Sequence, residues 1–182
     1  MELVIDDKGY LTDYRTGIAG AIATKTLANP SSKTVAVIGN GTQARMQIQS
    51  LLKVMPSIKN LNVYGRNKNK VIDYCNEMKK LYSNISVKYY ETVKETVENA
   101  DIIYTVTYSE NPLLKKEWIK KGSHITAIGA CGPNMQELEE EILLNADLVV
   151  ADSIEATSTH GELNNARRKG FDICKAKELG KL

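Results

Sequence analysis

Hydrophobic and polar positions along the chain switch repeatedly between two periods. Thr34, Val35, Ala36, Val37 and Ile38 form a short, mostly apolar, β-branched run, the pattern of a strand buried on both faces. Residues 42–55 then carry Ala44, Ile48, Leu51, Leu52 and Met55 at helical spacing on one face. The alternation continues with a strand at 61–64. A helix follows from a cap at Asn67 to Leu81, with a stripe of Val71, Cys75, Met78 and Leu81. A third strand lies at 87–90, and Thr92-Val93-Lys94-Glu95 is a capping box that opens a short helix. A fourth strand is expected at 101–107, a helical turn or two at 115–120 and a fifth strand at 124–128. Met135, Leu138 and Ile142 mark a further helix, and residues 148–151 a sixth strand.

Ahead of this alternation, residues 2–5 read as a short strand and Asp6-Asp7-Lys8-Gly9 as a turn. Residues 11–28 read as a helix, capped by Thr12 or Asp13, with an apolar stripe of Ile18, Ala21, Ile22 and Leu27. Asn29-Pro30 stops it, because proline lacks the donor and restricts the residue before it.

Strands alternating with helices predict a parallel sheet covered on both faces. Right-handed crossovers then leave the Rossmann-type, doubly wound α/β fold as the simplest topology. The expected divisions are an entering strand and helix at 1–32, a dinucleotide-binding domain at 33–152 and a tail of helices and loops at 153–182.

Composition narrows the function classes. The chain has 182 residues, 42% hydrophobic and 25% charged, which excludes a largely disordered chain or a collagen. No apolar run approaches the roughly 20 residues of a membrane span. The acidic N-terminal residues do not match a signal peptide, so a cytoplasmic protein is expected. Lys plus Arg number 24 against 22 Asp plus Glu, with the lysines scattered among acids, so no basic face points to nucleic acid. The three cysteines, Cys75, Cys131 and Cys174, are far apart and are expected to be free thiols. Two histidines without a tight His/Cys cluster give no zinc site.

The strongest local signal is Gly39-Asn40-Gly41-Thr42-Gln43-Ala44, a G-x-G-x-x-A turn between a buried strand and a helix. Gly39 permits the tight turn, Gly41 lets a pyrophosphate approach the backbone, and Ala44 lets helix and strand pack closely. The free N–H groups and the helix dipole would face the phosphates. Specificity should be read at the end of the second strand, in Tyr64-Gly65-Arg66-Asn67. The acid that would accept hydrogen bonds from a ribose 2′-hydroxyl is absent, and Arg66 can pair with a 2′-phosphate, which favours NADP(H) over NAD(H). The competing reading of Arg66 is a solvated residue ahead of a helix. Thr105-Val106-Thr107 and Ile128-Gly129 end the fourth and fifth strands, where open α/β sheets bind ligands, so they are candidate cofactor contacts. Thr105 and Thr107 would serve equally as ordinary β-branched strand residues.

Several motifs in order resemble one family. Leu11-Thr12-Asp13-Tyr14-Arg15-Thr16-Gly17 is similar to the LT-x-x-RT segment of the ornithine cyclodeaminase/mu-crystallin family. Residues 38–45 resemble its I-G-x-G-x-Q-A-R turn, and residues 122–130 its G-x-H-I-x-A-I-G-A strand. Glu137-Leu138, Ala146-Asp147, Val149-Val150-Ala151-Asp152 and Gly161-Glu162-Leu163 complete the order. The resemblance implies a two-domain enzyme handling small amino or imino acids with a nicotinamide cofactor. It implies imine (ketimine) reduction or amino-acid dehydrogenation. The alternatives are an ornithine cyclodeaminase, releasing ammonia with bound NAD, and a non-catalytic nucleotide-binding fragment. Arg15 falls on the family's arginine for the substrate carboxylate, and Thr16 on a cofactor-contacting position.

Two departures matter. Where the family's cyclodeaminases and archaeal alanine dehydrogenase carry a proton-transferring aspartate, this chain has Cys131, and mu-crystallin-like members also lack that aspartate, which fits the reductase branch. A thiol near a reference pKa of about 8.5 is a different acid–base tool, and Cys131 also fits as a small apolar filler. The family's substrate-binding and dimer-forming domain, with its catalytic lysine, precedes the LT-x-x-RT segment, which here begins at Leu11. The resemblance therefore implies that half the substrate site lies outside this sequence, that the chain alone is inactive, and that a separate chain would supply the missing domain.

Overall fold

The computed structural model describes residues 7–132 and 134–182; the strand expected at 2–5 lies outside them. The first helix, α1 (Tyr10–Leu27), leads into β1 (Thr34–Ile38), α2 (Thr42–Val54), β2 (Asn60–Tyr64), α3 (Lys68–Leu81), β3 (Ser86–Tyr89) and α4 (Val93–Val97). Then come β4 (Ile102–Thr105), a 3-10 turn at Lys116–Trp118, β5 (His124–Ala127) and α5 (Glu140–Leu144). The chain ends with β6 (Val150–Ala151), α6 (Ile154–Thr157), α7 (Gly161–Arg168) and β7 (Lys177–Glu178), with short 3-10 turns around β7.

The first five strands form one parallel sheet in the order β3-β2-β1-β4-β5. This is the doubly wound α/β arrangement, with the strand order reversing between β1 and β4. Strand β1 shows why. Its side chains alternate faces, so Val35 and Val37 join Ile48, Leu51 and Val63 in one core. Ala36 and Ile38 join Val97, Ile103 and Leu114 in the other. Both layers exclude water from the central strand. The local signals expected at Asn67 and Thr92 are present: Asn67 caps α3 through Lys70 N–H, and Thr92 and Glu95 form a reciprocal capping box on α4.

Three expectations are corrected. First, β6 is not a sixth strand of the main sheet; it pairs in parallel with β7. Second, the segment around Met135 and Leu138 is not helical, and only Glu140–Leu144 winds into a helix. The reason is competition for the backbone. Glu137 C=O accepts from Leu113 N–H and Leu114 N–H, and Leu138 forms a bridge with Leu114, so this stretch runs extended. Third, neither Thr12 nor Asp13 caps α1. The helix starts after Gly9 at φ 85°, and Asp7 accepts from Gly9 N–H and Leu11 N–H.

The apolar stripe of α1, expected to pack partly on the missing domain, is divided in this chain between buried Ala21 and exposed Ile18 and Ile22. Gly17, Gly20, Ala21 and Thr24 face the body, whereas Ile18 and Ile22 are 40% and 49% exposed. A Cβ at Gly17 would lie 2.7 Å from Met46 O, so the small residues are what let α1 approach α2. Thr24 completes the contact by hydrogen bonding to the buried Tyr104 hydroxyl at 2.6 Å. Among the described residues, no helix is long and apolar enough to cross a membrane, and the three cysteines are free.

Candidate functional site

The carboxyl end of β1 opens into the glycine turn. Gly39 adopts φ 115°, a conformation that L side chains rarely enter, and a Cβ there would lie 2.6 Å from Val106 O. The turn is tied back to the sheet by Gly39 N–H donating to Tyr64 O. Gly41 is different: nothing lies within 4 Å of a Cβ built on it, so a ligand can come close to the backbone. Gly41 caps α2 with no side-chain hydrogen bond. The N–H groups of Thr42, Gln43 and Ala44 therefore have no intrahelical acceptor, and the helix dipole adds positive potential there. An opening of this kind fits a pyrophosphate.

Arg45 shapes the turn, although the sequence reading assigned it no role beyond its place in the motif. Its Nη1 donates to Asn40 O at 2.8 Å and to Gly41 O at 3.1 Å. Its Nε and Nη2 grip Glu77 on α3, and the guanidinium lies 5.1 Å from the Tyr74 ring centroid. Two carbonyls that would repel a phosphate are thereby turned toward a cation. The pair with Glu77 is partly exposed, so its main effect is orientation rather than stability.

At the end of β2, Gly65 packs against Val71 and the Asn40 side chain, and Arg66 is exposed just beyond it. The Asn67 side-chain oxygen is committed to capping α3. Gln43 uses its amide on Asp13, and Gln47 donates to Thr16 O, so both glutamines tie α2 to α1. These contacts bring the first half of α1, with Arg15 exposed on it, to the end of the molecule where α2 begins. The Thr16 hydroxyl donates to Thr12 O.

The ends of β4 and β5 converge on one buried carboxylate. Glu137, with no exposed surface, accepts from Thr105 Oγ1 at 2.8 Å, Thr107 Oγ1 at 2.7 Å, Thr107 N–H at 2.6 Å and Gly129 N–H at 2.8 Å. The two threonine hydroxyls thus turn toward Glu137. Val106, partly buried, donates its N–H to Ile38 O, and Ile128 donates to Thr105 O. Burial pushes the Glu137 carboxyl above the usual range, and the four donors offset part of that cost. Its own N–H donates to Glu162 at 2.6 Å. Burial pushes the Glu162 carboxyl up to about 7. Both glutamates lie within the motifs, but their joint function is not legible there, because 25 to 32 residues separate Glu137 from Glu162, Thr105 and Thr107 and eight from Gly129. Cys131 is exposed beyond β5. Among the described residues, no group of three or more His, Cys, Asp and Glu could hold a metal ion.

Comparison with known proteins agrees with this architecture. The chain is 39% identical over 170 residues to an alanine dehydrogenase of Archaeoglobus fulgidus, covering 92% of this chain and 50% of that protein. It is 38% identical over 154 residues to a ketimine reductase mu-crystallin of Macropus fuliginosus, covering 85% and 47%. A Thermococcus litoralis Δ1-pyrroline-2-carboxylate reductase, solved with NADH and L-proline, superimposes with a TM-score of 0.89 at 32% identity, covering 96% of this chain and 54% of that one. The chain spans about half the length of the curated relatives it matches. The model of the ornithine cyclodeaminase/mu-crystallin family matches residues 1–181, and the chain belongs to that family.

Proposed function

We propose that this chain is the nicotinamide-dinucleotide-binding part of an enzyme that reduces small cyclic or acyclic imino acids, or runs the reverse dehydrogenation. The observation that carries the reading is the open glycine turn at an uncapped helix N-terminus, at the point where the strand order reverses. A bound dihydronicotinamide supplies a hydride to the imine carbon. The chain's own residues do the holding. N–H groups of Gly41, Thr42, Gln43 and Ala44 take the pyrophosphate, with Arg45 keeping the turn's carbonyls aside. Arg66, exposed at the end of β2, pairs with a 2′-phosphate, and Arg15 on α1 takes the substrate carboxylate in a forked contact.

Gly65-Arg66 and Cys131 weigh against the cyclodeaminase alternative, which would use bound NAD and an acid in place of the thiol. The relatives' additional length supports a second polypeptide or segment that completes the substrate site.

A paired titration of NADPH and NADH, followed by energy transfer from Trp118 or by nicotinamide emission, tests the reading. Tighter NADPH by roughly tenfold, about 1.4 kcal/mol, is expected. Tighter NADH would overturn the role of Arg66. Binding of neither would overturn the dinucleotide reading itself.

A further inference from the structure

We infer that Glu137 is the positioning residue for the nicotinamide half of the bound dinucleotide, acting through Thr105, Thr107 and Gly129. The inference rests on the dinucleotide reading above and assigns one half of that site.

The β4–β5 ladder reaches the pair Thr105 and Ala127, and its last bond is Ile128 N–H to Thr105 O. Past that point the two strand ends no longer pair with each other. Their next inward N–H groups, on Thr107 and Gly129, donate instead to the two oxygens of one carboxylate. Glu137 Oε1 takes Thr107 N–H and Oγ1, and Oε2 takes Gly129 N–H and Thr105 Oγ1. A side chain thus replaces the ladder and sets the separation of the two ends. Nothing larger than glycine fits at 129, where a Cβ would lie 2.6 Å from Thr107 N and 2.7 Å from Glu137 Cδ.

The location gives this junction its function. In the order β3-β2-β1-β4-β5, the glycine turn after β1 lies between two flanks. Arg66 marks the β2 flank as the adenosine side, so the β4 and β5 ends form the wall for the other half of the ligand. Glu137 itself belongs to neither strand. It arrives on the extended segment paired with Leu114 and is anchored from behind by Glu162 of α7. A carboxylate buried at a strand end costs desolvation that an apolar contact would not. It supplies instead four acceptor contacts of defined direction, which hold a wall in one shape.

The test compares NADH with ADP-ribose, which shares the adenosine and pyrophosphate but lacks the nicotinamide. Wild-type protein is expected to bind NADH more tightly than ADP-ribose. In Glu137→Gln the amide nitrogen must face either Thr107 N–H or Gly129 N–H, donor against donor. The variant should bind ADP-ribose within about twofold of wild type and lose roughly tenfold or more for NADH. Thr107→Val removes one hydroxyl contact, keeps the backbone bond and should shift the same ratio less, which covers the case in which Glu137→Gln fails to fold. Equal losses for both ligands, in variants that keep native circular dichroism, would show a merely structural residue and overturn the inference. Equal wild-type affinity for the two ligands would also overturn it, while leaving the dinucleotide reading standing. Binding of neither of these ligands nor of NADPH would remove that reading and the inference together.

Discussion

Single residues here set proton-linked stability as well as shape. Glu162 Oε1 accepts from Glu137 N–H and, more weakly, from Leu138 N–H, and burial holds its carboxyl near 7. An unfolded glutamate titrates near 4.3, so between that pH and about 7 the folded state binds more protons than the unfolded one. Stability from this residue is therefore full at the acid end of the window and falls as pH rises through it. At about 1.4 kcal/mol per pH unit, the loss across this window is at most on the order of 4 kcal/mol. The burial-raised Glu137 carboxyl acts in the same direction. His124, pushed down to about 4 by burial, acts in the opposite direction: its contribution grows as pH rises from about 4 to about 6.5. Glu162→Gln keeps the accepting oxygen and cannot ionise. Urea unfolding of both proteins at pH 5 and pH 7.5 should show the variant gaining on wild type at the higher pH. An unchanged difference at the two pH values would refute the assignment.

At the scale of elements, α1 is the informative case. Its sequence carries two candidate faces, and the apolar one is not the buried one. The glycine-rich face meets α2, and Tyr10, Leu11, Tyr14, Ile18 and Ile22 remain exposed. Close backbone approach explains the choice: bulky side chains at 17 and 20 would collide with Met46 and Gln47. An exposed row of this kind is a contact surface in waiting. The chain is expected to self-associate through it at high concentration, and Ile18→Glu with Ile22→Glu should return it to monomer in sedimentation velocity. A monomeric wild type across the accessible concentration range would count against that. The capping signals at Asn67 and Thr92 were legible from the sequence because they involve residues three apart. The helix expected around Met135 was not formed, because the pairing of that segment with Leu113 and Leu114 competes for the same backbone groups.

For the whole molecule, the sheet order gathers the glycine turn, Arg66 and the Glu137 junction at one end. Hydride transfer also requires the substrate held in near-attack geometry, which needs walls on both sides. The purified chain is expected to bind dinucleotide and to show no steady-state imine reduction with Δ1-pyrroline-2-carboxylate; measurable turnover would refute this. Under the proposed function, the exposed Arg15 on α1 would meet substrate only in a site closed by a second domain or chain.

By itself the sequence determined the alternation of strands and helices, the glycine turn and the local caps. Each of these is written in periodicities or spacings of a few residues, and backbone sterics act at that range. Tertiary structure alone decided which face of α1 is buried, that β6 leaves the main sheet, and that Thr105, Thr107 and Gly129 share one carboxylate. Those outcomes depend on partners from eight to tens of residues away, beyond the reach of helix and strand periodicity, competing for the same buried donors and the same space, and no local pattern records which partner wins.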